Sequence, residues 1–300
     1  MTLIFTFIVI LIIIFLGYFS KRINLLKAND VGVLNKIVIH IAMPSLVFYS
    51  LYTTDFTLLS KIGFLPFVNV FVALICALIV FLLLSFLKID KNKKWSMVLV
   101  STMANTGFFG FPLILGVFGN NGLIRAIFYD VGTSLLFIIF NIIFILRFNG
   151  EFKDLLKKIL SFPILWAVIL GLLFNYLNVP LDYTILNSLN YLKSLTIPLI
   201  MLSLGLSIEF KGIRNNVDAV LFTSFIKLII APIIALVLLN FLNLNSFDGQ
   251  ISIIESAMPP AMLTLALAVN YDLDFHLTSD CIFFDMMISL ITLPIIMSIL

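Results

Sequence analysis

From Gly63 to Leu87 the chain reads "GFLPFVNVFVALICALIVFLLLSFL", with no charged side chain anywhere in the run. A helix needs about 20 mainly apolar residues to cross the ~30 Å hydrocarbon layer of a bilayer, and this run is long enough. It is not isolated. Ten runs of this kind lie near 3–19, 34–54, 63–87, 95–118, 123–146, 162–178, 189–208, 217–242, 250–271 and 276–300, called spans 1 to 10 below. With 62% hydrophobic and 11% charged residues, and a mean hydropathy of +1.21, a 300-residue chain holds more apolar side chain than a soluble interior can hide. The sequence predicts an all-α polytopic membrane protein whose solvent is the lipid bilayer.

Orientation follows from the lysines and arginines, which collect in cytoplasmic loops. Lys21, Arg22, Lys27 and Lys36 flank the first connection; Lys88, Lys91, Lys93 and Lys94 the third; Arg147, Lys153, Lys157 and Lys158 the fifth; Lys211 and Arg214 the seventh. The even connections hold Lys61, Arg125 and Lys193. Both termini are therefore expected outside a cell membrane. The net charge of +3 is accounted for by these loops, so no nucleic-acid partner is expected. Span 1 has no basic residue before it and no small-residue cleavage site after it, and reads as a retained helix. Cys76 and Cys281 stand alone in apolar runs, which predicts inert buried thiols and no metal centre or cofactor.

A shift of 154 or 155 residues lays the second half of the chain on the first. "IAMPSLVFYSL" meets "LTIPLIMLSLG", pairing Pro44 with Pro198; "AIFYDVGTSLL" meets "CIFFDMMISLI", pairing Asp130 with Asp285; "LGYF" meets "LGLL", pairing Gly17 with Gly171. Five spans per half make the second copy enter the membrane from the opposite side. The expected organisation is a 5+5 inverted repeat, 1–148 and 162–300, joined by a short amphipathic cytoplasmic linker at 149–161. Inverted repeats with interrupted helices at matching positions mark secondary transporters, whose substrate site lies near the midplane.

The interrupted pair is spans 4 and 9. In "STMANTGFFGFPLILGVFG", Pro112 removes a backbone donor and obstructs the carbonyl four residues earlier, while Gly107 and Gly110 let the chain leave helical angles. Pro259 and Pro260 do the same in span 9. Freed backbone groups cost several kcal/mol each in hydrocarbon, so such breaks persist only where protein or a water-filled cavity covers them. Helix N-terminal ends there suit an anion, and carbonyl ends suit a cation.

These stretches resemble the auxin efflux carrier family. "NTGFFGFPL" followed by "FGNNG" is similar to its fourth helix, "ESAMPPAMLTLALAVNYDLD" to its ninth, "IKLIIAP" to its eighth, and "IVIHIAMPSLVFYSL" and "MLSLGLSIEF" to its second and seventh. The resemblance implies a fold shared with bile acid sodium symporters. Spans 1, 2, 6 and 7 would form a scaffold, and spans 3–5 and 8–10 a moving transport domain in which broken spans 4 and 9 cross. It also implies homodimerisation through the scaffold, an elevator-type motion, no enzymatic activity, and a small organic anion as substrate, auxin-like or a carboxylate. By resemblance the substrate-site positions would be Asn105 and the break around Pro112 in span 4 and Pro259 in span 9; the breaks and the buried charge add Thr106, Gly107, Gly110, Pro260 and Lys227 as candidates, with a proton or sodium ion as the expected coupling ion.

Lys227 lies about ten residues into span 8, roughly 15 Å deep at 1.5 Å per residue. A charge there usually faces an interior partner or a pathway. Two roles are open: a counter-charge for substrate, or a structural pair with Asp130 or Asp285. Either aspartate could instead carry a coupling proton. Glu255, one and a half turns from the outer end of span 9, is expected to reach the interface or to ligate a cation, and His40 to be packed and hydrogen-bonded. Two other functions fit the same residues. One is an anion channel. The other is an intramembrane aspartyl protease built on Asp130 and Asp285, although "IFFDMM" lacks the Gly-rich motif that class needs around its second aspartate.

Overall fold

The computed structural model describes residues 3–27, 29–148, 155, 157, 159–208, 216–244 and 246–300. Among these the regular structure is helical, apart from one isolated backbone bridge. The first half contains α1 (Leu3–Arg22), α2 (Asp30–Ile37), α3 (Met43–Thr53), α4 (Phe56–Ile62), α5 (Leu65–Ser85), α6 (Lys91–Thr102) and α7 (Phe111–Phe148). The second contains α8 (Pro163–Tyr176), α9 (Tyr183–Ser194), α10 (Thr196–Ser207), α11 (Val217–Phe225), α12 (Ala231–Phe241), α13 (Phe247–Ser256), α14 (Leu263–Asn270) and α15 (Phe275–Ile299). Single π-helical turns at Val38–Ala42, Thr106–Gly110 and Ile226–Ile230 join α2 to α3, lead into α7, and join α11 to α12. Among the described residues seven helical segments are long and apolar enough to cross a membrane, and Pro163–Tyr176 is a shorter apolar helix. Spans 4 and 5 meet within α7 at Gly119, where φ of 64° breaks the helix. A residue with a Cβ enters that region only with strain.

The chain divides into two compact units. The first comprises Met1–Gly63, Phe111–Ile124 and Leu156–Phe210. In it α1 lies along α10 and α3 along α8. A glycine stands at each contact. A Cβ at Gly17 would collide with the Leu202 carbonyl, and one at Gly171 would meet the Phe48 carbonyl at 3.2 Å; the two glycines and the two carbonyls are each 154 residues apart. Asn24 and Asn178, separated by the same interval, end α1 and α8 with φ of 57° and 50°. Asn175 ties α8 to the end of α3, donating to the carbonyls of Leu51, Tyr52 and Thr54 at 2.7, 2.9 and 2.6 Å. Lys21 donates to the last carbonyls of the α10 region, Leu206 and Ile208, at 3.2 and 3.1 Å.

His40 departs from expectation. It is exposed, and its Nδ1 lies 3.0 Å from the Lys36 carbonyl one turn back, so its polar group is met by its own helix and needs no packed partner. Of the amphipathic linker expected at 149–161 the described residues include 155, 157 and 159–161; the rest lies outside them, as do Lys153, Lys158, Lys211 and Arg214.

The second unit comprises Phe64–Gly110, Arg125–Leu155 and Lys211–Leu300. Here α5 and α6 pack together, α12 lies against α5 and α13, and α15 against α6 and α11. Cys76 and Cys281 are buried free thiols, the latter 3.3 Å from the Thr223 hydroxyl.

Candidate functional site

Within the second unit the two broken spans meet backbone to backbone. α6 stops at Thr102, and Met103 takes extended angles, φ −84° and ψ 116°. α13 stops at Ser256, and α14 begins only at Leu263. Between these ends Ala104 and Pro260 face each other as an antiparallel bridge: Asn105 N–H donates to the Pro259 carbonyl at 2.7 Å, and Ala261 N–H to the Met103 carbonyl at 2.9 Å. Both segments are buried, so these bonds satisfy groups that would otherwise be stranded.

The prolines explain why span 9 opens here. In a continuous helix the Ser256 carbonyl would accept from the N–H of residue 260, and Pro260 has none. Lys227 supplies the missing donor, its Nζ 2.8 Å from that carbonyl. It is buried and makes no ion pair among the described residues, so of the two open roles the structural pair with Asp130 or Asp285 is not formed, and its bond goes to backbone that a proline left open.

Span 4 opens differently from the sequence reading. The break falls at Met103–Asn105, well before Pro112, which sits in the first turn of α7 in the first unit. The proline follows directly on the π turn Thr106–Gly110 within the helical run Thr106–Phe148, so its missing N–H is accommodated by the wider turn before it and does not interrupt the helix. Gly107 and Gly110 lie in the π turn that restarts the helix, where the N–H groups of Phe109 and Gly110 both reach the Asn105 carbonyl at 3.1 Å. The Asn105 side-chain oxygen accepts from Phe108 N–H at 3.2 Å. Its amide nitrogen has no acceptor among the described residues.

The acids surround this crossing on separate supports. Thr106 donates to the half-buried Asp130, and its hydroxyl lies 3.1 Å from that of Thr133. Asn69 of α5 completes the cluster, donating to Thr133 Oγ1 at 2.9 Å and to the Tyr129 carbonyl at 2.8 Å. Asp285 is fully buried and accepts from Ser224. The two aspartates are thus served by different hydroxyls and are not hydrogen-bonded to each other. Glu255 corrects the sequence reading most: it does not reach an interface but is completely buried, with its carboxylate against Gly110. Helix depth counted along the chain fails here because the side chain packs against the turn of the opposite broken span, so protein surrounds it. Among the described residues no group of three His, Cys, Asp or Glu side chains gathers to hold a metal.

Asn69, Thr133 and Ser224 were not singled out from sequence. Their signal was a polar side chain inside an otherwise apolar run. At the far end of α13, Arg125 pairs with Asp248 and lies 4.8 Å from the centre of the Phe247 ring, which secures the entry to span 9.

The chain matches the model of the family described as "Membrane transport protein" twice in succession, over residues 2–151 and 151–297. It belongs to that family, which includes the auxin efflux carriers. Membership makes it a multi-pass membrane transport protein. Similar family members include an uncharacterized transporter of Methanothermobacter thermautotrophicus, 36% identical over 95% of this chain and 94% of its own length. An uncharacterized transporter of Methanocaldococcus jannaschii is 36% identical over 96% and 95% of the two chains. The uncharacterized transporter YfdV of Escherichia coli is 22% identical over 88% and 86%.

Proposed function

We propose that this protein is a secondary transporter that carries a small organic anion, auxin-like or a carboxylate, across the cell membrane by elevator-type alternating access. The observation that carries the reading is the bridge between Ala104 and Pro260, where two interrupted helices cross and bring helix ends of both signs together inside the protein. Asn105, Thr106, Gly107, Gly110, Pro259 and Pro260 form that crossing, Pro112 lies in the helix that leaves it, and Lys227 supplies positive charge beside it. Asp130, Asp285 and Glu255 are the groups available for coupling to a proton or sodium ion.

The 5+5 inverted repeat is supported by the paired features 154 residues apart, Gly17 with Gly171 and Asn24 with Asn178, and by the family model matching once per half. Ten crossings follow if Pro163–Tyr176, the two halves of span 9, and the division of α7 at Gly119 are added to the longer helices. In this reading the first unit is the scaffold and the homodimer contact, the second is the moving body, and both termini face outward.

The test is ligand binding by the purified protein. Indole-3-acetate, malonate and succinate, screened by thermal denaturation in detergent, should include a compound that raises the transition; at 100 times its Kd a ligand adds about 2.7 kcal/mol. Flux of that compound in proteoliposomes should saturate and exchange with internal substrate. Flux that neither saturates nor exchanges identifies a channel and overturns the carrier.

A further inference from the structure

Glu255 is a buried acid that the crossing does not explain. It is fully buried, and neither carboxylate oxygen has a hydrogen-bond partner among the described residues. Asp130 and Asp285, by contrast, each hold a hydroxyl donor. It lies in the last turn of α13, where the helix dipole opposes negative charge. Among the described residues the charged and titratable groups that face it are Asp130 and Tyr129 from α7 and Lys227 from the turn between α11 and α12. Lys227 is the only cation of the set, and its ammonium donates to the Ser256 carbonyl rather than to Glu255. On the remaining side the carboxylate rests against Gly110, with one oxygen 2.6 Å from where a Cβ would stand.

An ionised carboxylate in this position would bear its desolvation with no hydrogen bond in return, whereas the neutral acid would lose far less. We infer that Glu255 is the proton-binding site of the carrier, protonated in the state seen here and ionised when the crossing opens to water. A Glu255 carboxylate oxygen takes a proton from hydronium in the water on one side of the membrane, forming the O–H bond, and that bond breaks to give the proton to water on the other. The location couples it to transport. Glu255 is four residues before Pro259, and Gly110 closes the turn that begins at Thr106, so the carboxyl lies between the two halves of the break. The inference rests on the transporter reading of that crossing and names its coupling ion.

Infrared spectroscopy of the purified full-length chain at neutral pH tests the site without a substrate. The wild type should show the carbonyl stretch of a protonated carboxylic acid; Glu255→Gln should lose it, and Asp130→Asn and Asp285→Asn should keep it. Absence of the band from wild type, its persistence in Glu255→Gln, or its loss in either aspartate variant overturns the inference. If Glu255→Gln does not fold, Gly110→Ala replaces it: the acid is retained but the new methyl displaces it, so the band must shift, and an unshifted band overturns the assignment. In proteoliposomes containing a pH dye, with malonate and indole-3-acetate as probes, a pH gradient should drive accumulation in wild type, and any flux left in Glu255→Gln should ignore the gradient. A wild-type flux indifferent to the gradient overturns coupling. If neither probe moves or binds, the organic-anion reading fails, while the infrared result still decides whether Glu255 holds a proton.

Discussion

Pro260 has no N–H, and through that absence it determines where a lysine on another helix sits. The Ser256 carbonyl loses its helical donor, and the Lys227 ammonium fills the place at 2.8 Å. Lys227→Met should therefore cost about 1–3 kcal/mol of stability, the penalty of leaving a buried acceptor unmet. In a Pro260→Ala background the cost should shrink, because residue 260 regains an N–H, and a double-mutant cycle by denaturation in detergent measures that coupling. Asn105 makes a different prediction. Its amide nitrogen has no acceptor among the described residues, so Asn105→Ala should weaken binding of the transported anion about tenfold while helix content and thermal midpoint stay near wild type. Titration calorimetry alongside circular dichroism checks both halves of that statement. The sequence named Lys227, Asp130, Asp285 and Glu255 because ionisable groups are rare in apolar runs. It could not assign their partners, because the carbonyl that holds Lys227 becomes available only once the helix opens.

Among the elements, the break in span 9 was legible from Pro259 and Pro260, whereas the break in span 4 was displaced from its expected place. A proline need not break a helix: Pro112 lies inside the helical run Thr106–Phe148, where the π turn just before it takes up the missing donor. What opens span 4 is the opposing strand-like segment at Pro259–Ala261, a tertiary partner invisible to local pattern. The close helix contacts were partly legible, since Gly17 and Gly171 already aligned in the repeat. Gly17→Leu and Gly171→Leu should each force apart a helix pair and destabilise by about 1–3 kcal/mol, measurable as a lower midpoint of thermal denaturation. At the start of α9, the Thr184 hydroxyl and then its N–H hold the Asp182 carboxyl below the ordinary carboxylate range. A depressed folded-state value gives stabilisation that is present at neutral pH and lost as pH falls through it. Amide exchange at the first turn of α9 should therefore accelerate, relative to its intrinsic rate, on acidification, and Asp182→Ala should show that acceleration at every pH.

For the whole molecule, composition alone specified a helical membrane protein, and the long apolar runs located the helices well. The π turns were not legible, because one extra residue in a turn leaves hydrophobic periodicity almost unchanged. Topology is testable directly. A reporter fused after Leu300 should be active outside the cytoplasm, as the distribution of Lys and Arg requires, and cytoplasmic activity would reverse the orientation. The bridge at Ala104 and Pro260 has a further consequence for how such a protein diversifies. Main-chain hydrogen bonds do not depend on which side chains flank them, so the crossing can persist while the residues around it are exchanged. A lineage could thereby drift from one cargo to another by altering side chains on an unchanged backbone frame, keeping the machine while changing what it carries.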